Sequence, residues 1–197
     1  MKKIVGLLAL GLLVAVLFAG CAKPEAEIAN AEAAINAAIK DGANVYSKAE
    51  LQQVQNDLRA AMDEVNAQSK KLFKSYGKSK QLLLAATQKA EEVKAGIPAR
   101  KEKAKNDAIT ALGEVRTVLD STKVMLDKAP KGKGTKADLE AMTADFVGLE
   151  DMYLKAQSKI QTEDFFGALD QARLIKQRAA GIANQVQQAI DKVKGKR

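Results

Sequence analysis

The chain has 197 residues, a formal net charge of +8 and only 4% aromatic residues. It contains no histidine, no tryptophan and a single cysteine, so it lacks the usual general base at neutral pH, the commonest metal ligand and any internal disulfide. It shows neither a glycine-rich phosphate loop nor a Gly-x-Ser-x-Gly nucleophile elbow. We therefore expect a protein that is not an enzyme and that has no catalytic residues, cofactor or metal ion.

The first 21 residues have the layout of an export signal. Two lysines precede an apolar run from Ile4 to Phe18, and Ala-Gly follows it. The run is shorter than the roughly 20 apolar residues of a transmembrane helix, and its layout is that of a secretory signal peptide. The single cysteine, Cys21, comes next. The segment resembles a bacterial lipoprotein signal, with Phe18 where such signals usually carry Leu. An ordinary secretory peptide beside a chance cysteine is the alternative.

This resemblance implies that residues 1–20 are removed and that Cys21 is the lipid-attachment site, with three acyl chains such as palmitate. At about 0.8 kcal/mol per buried CH₂, three chains form an essentially permanent anchor. Residue 22 is alanine, whereas aspartate at this position retains lipoproteins at the inner membrane in enterobacteria-like sorting. We expect a periplasm-facing protein anchored to the outer membrane, with the inner membrane less favoured.

The rest of the chain has the composition of an all-α protein. Alanine, lysine, glutamine, glutamate and leucine dominate, and all of them favour helices. No run of alternating β-branched residues predicts a strand. The three prolines, Pro24, Pro98 and Pro130, are each predicted to begin or end a helix.

Apolar residues recur every three or four positions along five predicted helical segments. The segments begin near Pro24, Ser47, Ala99, Thr135 and Thr162. Ser47 and Glu50 form a predicted capping box, Thr135 and Asp138 repeat it, and Thr162 is predicted to cap the last helix. The seam of the second segment is Leu51, Val54, Leu58, Ala61, Val65, Gln68 and Leu72. Whether this segment breaks at Tyr76-Gly77 is left open, and the basic tail DKVKGKR is expected to fray.

The two halves of the chain align with each other. A shift of 88 residues places SKAELQQVQNDL on TKADLEAMTADF, and a shift of 89 places Tyr76 on Phe165. Internal duplication predicts a first helical repeat at 21–98 and a second at 99–197 with a basic tail, each a helical hairpin. Together they predict an elongated antiparallel helical bundle. Chance alignment of two alanine-rich amphipathic helices is the alternative.

Residues 26–95 resemble a family of small bacterial lipoproteins with an alanine-rich helical domain of unknown function. That domain also occurs ahead of OmpA-like peptidoglycan-binding domains. The resemblance is carried by AEAAINAAIKDGANVYSKAELQQVQNDLRAA at 31–61 and by the alanine-rich helix that Tyr76 opens. Lys48 stands where family members tend to have proline, and no OmpA-like module follows. The resemblance implies no activity and no catalytic residues.

Two groups of side chains are candidates for binding, each with a plainer interpretation. Basic clusters would meet lipid phosphates or acidic cell-wall groups, or they are solvated helix faces. They comprise Lys70/Lys71/Lys74/Lys78/Lys80, Arg100/Lys101/Lys103/Lys105, Lys128/Lys131/Lys133/Lys136 and Lys192/Lys194/Lys196/Arg197. Aromatic residues would line a ligand groove, or they pack in the core. They are Tyr46, Tyr76, Tyr153, Phe165 and Phe166. The carboxylate neighbours Glu91/Glu92 and Glu163/Asp164 are not expected to converge, because adjacent helical residues diverge.

These expectations favour a non-enzymatic structural or adapter module of the bacterial envelope. Its partners would be the membrane, through the acyl chains on Cys21, and an envelope protein or peptidoglycan. Nucleic acid is not expected, because export removes the protein from it, and an oligomer is compatible with the seams. The alternative is a carrier of an apolar or lipid ligand held between the helices. An envelope hydrolase is a third and weak hypothesis.

Overall fold

The structure is a computed structural model that describes residues 22–130 and 135–194. These residues form six helices and no strand, which confirms the all-α class. The helices are α1 (Glu25–Lys40), α2 (Ala43–Tyr46), α3 (Lys48–Ser69), α4 (Gly77–Lys128), α5 (Lys136–Gln161) and α6 (Phe165–Lys194). None of them is long and apolar enough to cross a membrane. The predicted signal peptide at 1–20 and the predicted lipid site Cys21 lie outside the described residues.

The chain forms two compact units, one ending at Arg100 and the other beginning at Lys101. The core of the first unit uses α1, α3 and the first part of α4. Near the start of α1, Ala31 packs with Ala61, Val65, Tyr76 and Leu83. Further along, Ile35 and Ala38 pack with Leu51, Val54, Ala90, Val93 and Ile97. The start of α1 therefore meets the end of α3 and the start of α4, so α3 runs antiparallel to both.

Ion pairs fix this arrangement along the surface of the first unit. Basic residues of α4 bind acidic residues that belong to, or directly follow, α1 and α3. The pairs are Lys80–Glu27 (3.2 Å), Lys94–Asp41 (3.7 Å), Lys78–Glu64 (2.9 Å), Lys89–Asp57 (2.6 Å) and Arg100–Glu50 (2.7 Å). Each contributes little to stability by itself because the partners are partly exposed. In every pair the basic residue lies on α4 and the acidic residue lies on, or directly after, α1 or α3. Together the pairs therefore specify which face of α4 packs against α1 and α3.

The second unit packs the rest of α4 against α5 and α6 around one apolar cluster. Its members are Leu112, Val115, Leu119, Leu126, Ala129, Leu139, Met142, Phe146, Leu149, Ala156, Ala172, Ile175, Ala179, Ile182 and Val186. Lys176 Nζ lies 2.7 Å from Glu114 Oε2, and Lys101 Nζ lies 2.6 Å from Glu163 Oε2. α4 and α6 therefore run in the same direction. The predicted seams after Ala99, Thr135 and Thr162 supply most of this core.

The predicted helix end at Pro98 is wrong. α4 continues through Pro98 from Gly77 to Lys128. A proline inside a helix lacks the N–H that would bond the carbonyl four residues earlier, and it costs about 3 kcal/mol relative to alanine. Val93 and Ile97 are buried before it, and Ala104 and Ala108 after it. This burial on both sides outweighs the local cost.

The predicted capping boxes are also wrong, although α3 and α5 do begin directly after Ser47 and Thr135. Ser47 precedes α3 without a side-chain cap bond, and its hydroxyl instead accepts a hydrogen bond from Arg100. Thr135 precedes α5, and its hydroxyl donates to the Pro130 carbonyl at 2.8 Å. Thr162 ends α5, whereas Asp164 caps α6 by accepting the Gly167 N–H at 3.0 Å.

The second predicted segment is interrupted before Tyr76-Gly77, a point that the sequence left open. α3 ends at Ser69 and α4 begins at Gly77. Tyr76 is buried in the core, whereas Leu72 leaves the predicted seam and is exposed. A turn at Asp41 and Gly42 separates α1 from α2, and Gly42 adopts the left-handed backbone conformation there (φ 105°). The predicted fraying of the tail is wrong as far as Lys194, which is still helical, and residues 195–197 lie outside the described part.

Candidate interaction surfaces

The polar groups in the core have structural roles. The buried polar residues are Ser47, Ser79, Thr122 and Thr135. The Ser79 hydroxyl donates to the Tyr76 carbonyl (3.2 Å) and the Thr122 hydroxyl to the Val118 carbonyl (2.8 Å). Within residues 22–130 and 135–194, no group of three or more acidic or cysteine side chains is placed to hold a metal ion. The hydroxyl groups of Ser79, Thr122 and Thr135 therefore donate to backbone carbonyls, whereas that of Ser47 accepts from the Arg100 side chain.

The neighbouring carboxylates have different surroundings. Glu91 and Glu92 are both exposed on α4. Glu163 binds Lys101 at 2.6 Å, while Asp164 binds Lys159 and the Gly167 N–H. The hydrogen bond from Lys159, helped by the one from Gly167, lowers the pKa of Asp164. Asp164 is therefore ionised at neutral pH and acts as a helix cap.

An open groove of about 810 Å³ lies in the second unit, between the end of α4 and the first half of α5. Its apolar lining is formed by Leu126, Leu139, Phe146 and Val147. Its charged and polar lining is formed by Lys123, Asp127, Lys136, Glu140, Thr143 and Glu150. Seven of these residues lie on α5 between Lys136 and Glu150. At 1.5 Å per residue, this stretch is about 21 Å long. The groove is therefore elongated along one helix.

The floor and the rim of this groove differ in character. Leu126, Leu139 and Phe146 are largely buried and belong to the core, whereas 58% of Val147 is exposed. The rim carries both signs of charge, and Lys136 Nζ lies only 3.9 Å from Glu140 Oε1. The Thr143 hydroxyl donates to its own helix, at the Leu139 carbonyl (2.7 Å). The groove thus offers an apolar strip between charged edges.

Leu126, Leu139 and Phe146 continue the apolar spacing of the segments that begin near Ala99 and Thr135, and this spacing predicts a core seam but no groove. The available signal was Val147, an apolar residue directly beside the seam that widens the apolar face of α5. Two smaller depressions also occur in the described parts of the chain. One of about 410 Å³ lies between α5 and α6 beside the small residues Ala144, Gly148 and Gly181. One of about 250 Å³ lies between α1 and α3.

Some of the basic clusters form ion pairs within the protein, whereas others are exposed to solvent. In the second cluster, Arg100 binds Ser47 and Glu50, and Lys101 binds Glu163. Lys103 and Lys105 pair with acids on their own helix. This cluster fits the interpretation as a solvated face. Of the third and fourth clusters, Lys131, Lys133, Lys196 and Arg197 lie outside the described residues.

The first basic cluster contains a different kind of surface. Between α3 and α4, the sequence Lys-Lys-Leu-Phe-Lys-Ser occupies residues 70–75, and we call this segment the KLF loop. Leu72 is 91% exposed and Phe73 is 87% exposed. The exposed lysines Lys70, Lys71 and Lys74 surround them. The sequence predicts a basic cluster here, but its apolar spacing also predicts Leu72 on the helical seam, which is wrong.

The aromatic residues are not gathered into one groove. Tyr76 and Phe165 are buried before α4 and at the start of α6, which confirms packing for these two. The Arg116 guanidinium lies 6.0 Å from the centre of the Tyr153 ring, a cation–π contact on the surface. Phe166 is 45% exposed. Tyr46 is partly buried beside the first unit's core.

Comparison of the chain with protein-family models, with curated proteins and with solved structures gives no match. The resemblance to alanine-rich lipoproteins therefore stays a prediction, as do the signal peptide and the lipid site.

Proposed function

We propose that the protein is a lipid-anchored, periplasm-facing envelope lipoprotein that acts as a non-enzymatic structural or adapter module. Acyl chains on Cys21 attach it to the outer membrane, and its helices bind an envelope protein. The observation that carries the adapter function is the elongated groove of the second unit. The anchor is supported by the sequence around Cys21 and by the short distance from Cys21 to the folded chain.

The shape and lining of the groove favour a helix of a partner protein as its occupant. A stretch of about 21 Å corresponds to nearly four turns of helix. An amphipathic partner helix would place apolar residues on Leu139 and Phe146 and charged residues along the mixed rim. Peptidoglycan is less favoured, because the groove has an apolar floor and a single aromatic residue for a sugar to stack on.

The position of Cys21 would hold the first unit close to the membrane. Pro24 is buried and α1 begins at Glu25. The four residues from Cys21 to Glu25 span at most about 14 Å. The acyl chains would thus be tied directly to the start of α1. In cells, Cys21→Ala is expected to release the protein from the membrane fraction, and unchanged fractionation of this variant would rule out the anchor.

The adapter function is tested by photo-crosslinking in cells from position 147. Val147 borders the groove, whereas Leu174 on α6 is 38% exposed and does not line it. A photoreactive residue at 147 is expected to capture one envelope protein that the same residue at 174 does not capture. Charge placed in the groove by Thr143→Arg should abolish this product. Equal capture from both positions would refute a partner site in the groove, and self-crosslinks from 147 would identify an oligomer.

The volume of the groove supports a carrier as the second candidate function. About 810 Å³ lies within the range of sites for small ligands. Its floor would hold an acyl chain, and Lys123 or Lys136 would meet a head-group phosphate. Native mass spectrometry of the purified protein separates the two functions. A co-purified lipid that Thr143→Arg displaces would support the carrier, and a ligand-free protein that still crosslinks from 147 would support the adapter.

We also propose that the chain arose by duplication into two similar helical halves, 21–98 and 99–197. Equivalent positions have equivalent burial in the two units: Tyr76 and Phe165 are each 3% exposed, and Ser47 and Thr135 both precede a helix with buried hydroxyl groups. Leu83 and Ala86 align with Ala172 and Ile175, so large and small residues exchange places at neighbouring core positions. This compensation supports descent from one ancestral helical unit.

A further inference from the structure

The KLF loop exposes apolar surface on a convex tip. Leu72 and Phe73 are the most exposed of the large apolar residues in the described chain, and they are adjacent. Both ends of the loop are fixed to the folded unit: α3 ends at Ser69 before the loop, and Tyr76 after it is buried against Ala31 and Leu83. Two bulky apolar side chains held at a projecting turn present a wedge and not a groove.

The KLF loop lies at the same end of the first unit as the start of α1. Tyr76, the residue after the loop, packs with Ala31 of α1. Lys80 Nζ lies 3.2 Å from Glu27 Oε1, only three residues into α1. Residue 22, where the described chain begins, therefore lies at this end. The predicted acylation site is one residue earlier.

This end of the unit carries excess positive charge. Lys23 pairs with Glu25, Lys80 with Glu27 and Lys78 with Glu64. These pairs leave three exposed lysines of the loop, of which Lys71 is attracted to the already paired Glu64, against one further exposed acid nearby, Asp63. They are Lys70, Lys71 and Lys74. Near an anionic lipid surface, each such lysine strengthens binding by about fivefold.

We propose that the KLF loop is a second membrane contact, in which Leu72 and Phe73 insert among the lipids and Lys70, Lys71 and Lys74 bind anionic head groups. The apolar side chains would reach below the phosphates, while the lysine stems keep their charges at head-group level. The proposal rests on the proposed acylation of Cys21, which brings this end of the unit to the lipid surface. The two contacts together would fix the orientation of the first unit on the membrane.

Fluorescence depth measurements on the acylated full-length product in liposomes test the proposal. Ser75→Cys places a thiol at the last residue of the loop without removing Leu72, Phe73 or a lysine, and Val45→Cys places one at the opposite end of the same unit. Acylation blocks the thiol of Cys21, so only the introduced thiol takes an environment-sensitive dye. In vesicles with anionic phospholipid, we expect the dye at 75 to be shielded from aqueous iodide and quenched by lipid-borne quenchers. The dye at 45 should show the reverse.

Two variants test which residues are responsible. In the Ser75→Cys protein, Leu72→Ser with Phe73→Ser is expected to expose the dye to iodide. Replacement of the three loop lysines by glutamine should lower the equilibrium constant for insertion by about a hundredfold, and neutral vesicles should have a similar effect. An unchanged signal in the double serine variant would overturn the proposal.

The same samples separate failure of the loop from failure of the anchor. A protein that floats with the vesicles while the dye at 75 stays in water would overturn the loop contact and leave the anchor intact. A protein that takes two dyes and does not float would refute acylation of Cys21. The loop contact would then stand only if added anionic vesicles still shield the dye at 75.

Discussion

Arg100 Nη2 lies 2.7 Å from Glu50 Oε1, 50 residues earlier in the chain, and Arg100 Nη1 donates to the neighbouring Ser47 hydroxyl. Ser47 is buried at the start of α3. One guanidinium of α4 thus occupies both side chains that a capping box would use. Its planar fork reaches a hydroxyl and a carboxylate together, which a lysine cannot do.

Arg100→Met is therefore expected to destabilise the first unit. The exposed part of the Arg100–Glu50 pair contributes little. The larger loss comes from the buried Ser47 hydroxyl, whose partner is removed at a cost of about 1–3 kcal/mol. Urea unfolding followed by circular dichroism measures this change. Arg59→Met, at an exposed arginine of α3, is the matched control and should change the free energy of unfolding by less than about 0.5 kcal/mol. Equal effects of the two variants would contradict the assigned role.

The sequence predicted those features that depend on local spacing. Val54, Val65 and Ile175 are buried because apolar residues at intervals of three and four share one helix face. It did not predict the partner of Ser47, because Arg100 is 53 residues away and only the packed unit brings them together. The prediction that Leu72 lies on the core seam is wrong for a related reason. Leu72 continues the apolar spacing of α3, but it follows the end of that helix.

The groove and Pro98 show that local spacing does not reveal how tightly helices pack in the folded chain. Phe146 belongs to the core seam and also lines the groove, so periodicity alone cannot separate the two roles. At Pro98 the local rule for a helix end competes with burial of apolar residues on both sides. The local rule is visible in sequence, whereas the strength of the packing is not.

Acid is expected to weaken the contact between Asp57 and Lys89. The hydrogen bond from Lys89, 2.6 Å long, lowers the pKa of Asp57, and a bond from Gln53 adds to this. Because the folded-state pKa is depressed, the stabilisation is present above the ordinary aspartate pKa of about 3.9 and is lost as pH falls through the folded-state value. NMR titration of the Asp57 carboxyl should give a low pKa, which Lys89→Gln should raise.

The stability of the same variants gives an independent check. Asp57→Asn is expected to destabilise the protein at pH 7 and to have a smaller effect at pH 3. Asp63→Asn, at an exposed aspartate on the same helix, is the matched control for removal of a surface carboxylate. A pH-independent effect of Asp57→Asn would contradict the contribution of the charge.

The neighbours Leu83 and Leu84 provide a test of the packing in the first unit. Leu83 is 0% exposed and Leu84 is 58% exposed. Leu83→Ala removes a filled core position and should cost about 2–5 kcal/mol. Leu84→Ala removes the same atoms from the surface and should cost less than about 1 kcal/mol. Thermal and urea unfolding of both variants measure the difference. Similar losses of stability in the two variants would contradict the orientation of α4, in which Leu83 faces the core and Leu84 faces solvent.

Pro98→Ala is expected to stabilise the chain. The substitution restores the N–H missing from α4 and removes the clash with the carbonyl four residues earlier, a gain of up to about 3 kcal/mol. The greater freedom of alanine in the unfolded state reduces this gain by about 1 kcal/mol. Ala95→Pro, one turn earlier on an exposed position, should destabilise instead. A loss of stability in Pro98→Ala would mean that the core requires the geometry that proline imposes.

The start of α6 distinguishes Asp164, the observed cap, from Thr162, the predicted one. Asp164 accepts the Gly167 N–H at 3.0 Å, whereas the Thr162 hydroxyl donates to the Ser158 carbonyl at 3.3 Å, at the end of α5. Asp164→Ala removes the acceptor for a first-turn amide and is expected to cost about 1 kcal/mol. Thr162→Ala should cost less, because the Ser158 carbonyl also accepts a backbone bond from Thr162. Amide hydrogen exchange at Gly167 should accelerate in Asp164→Ala and remain unchanged in Thr162→Ala. The opposite pattern would return the cap to Thr162.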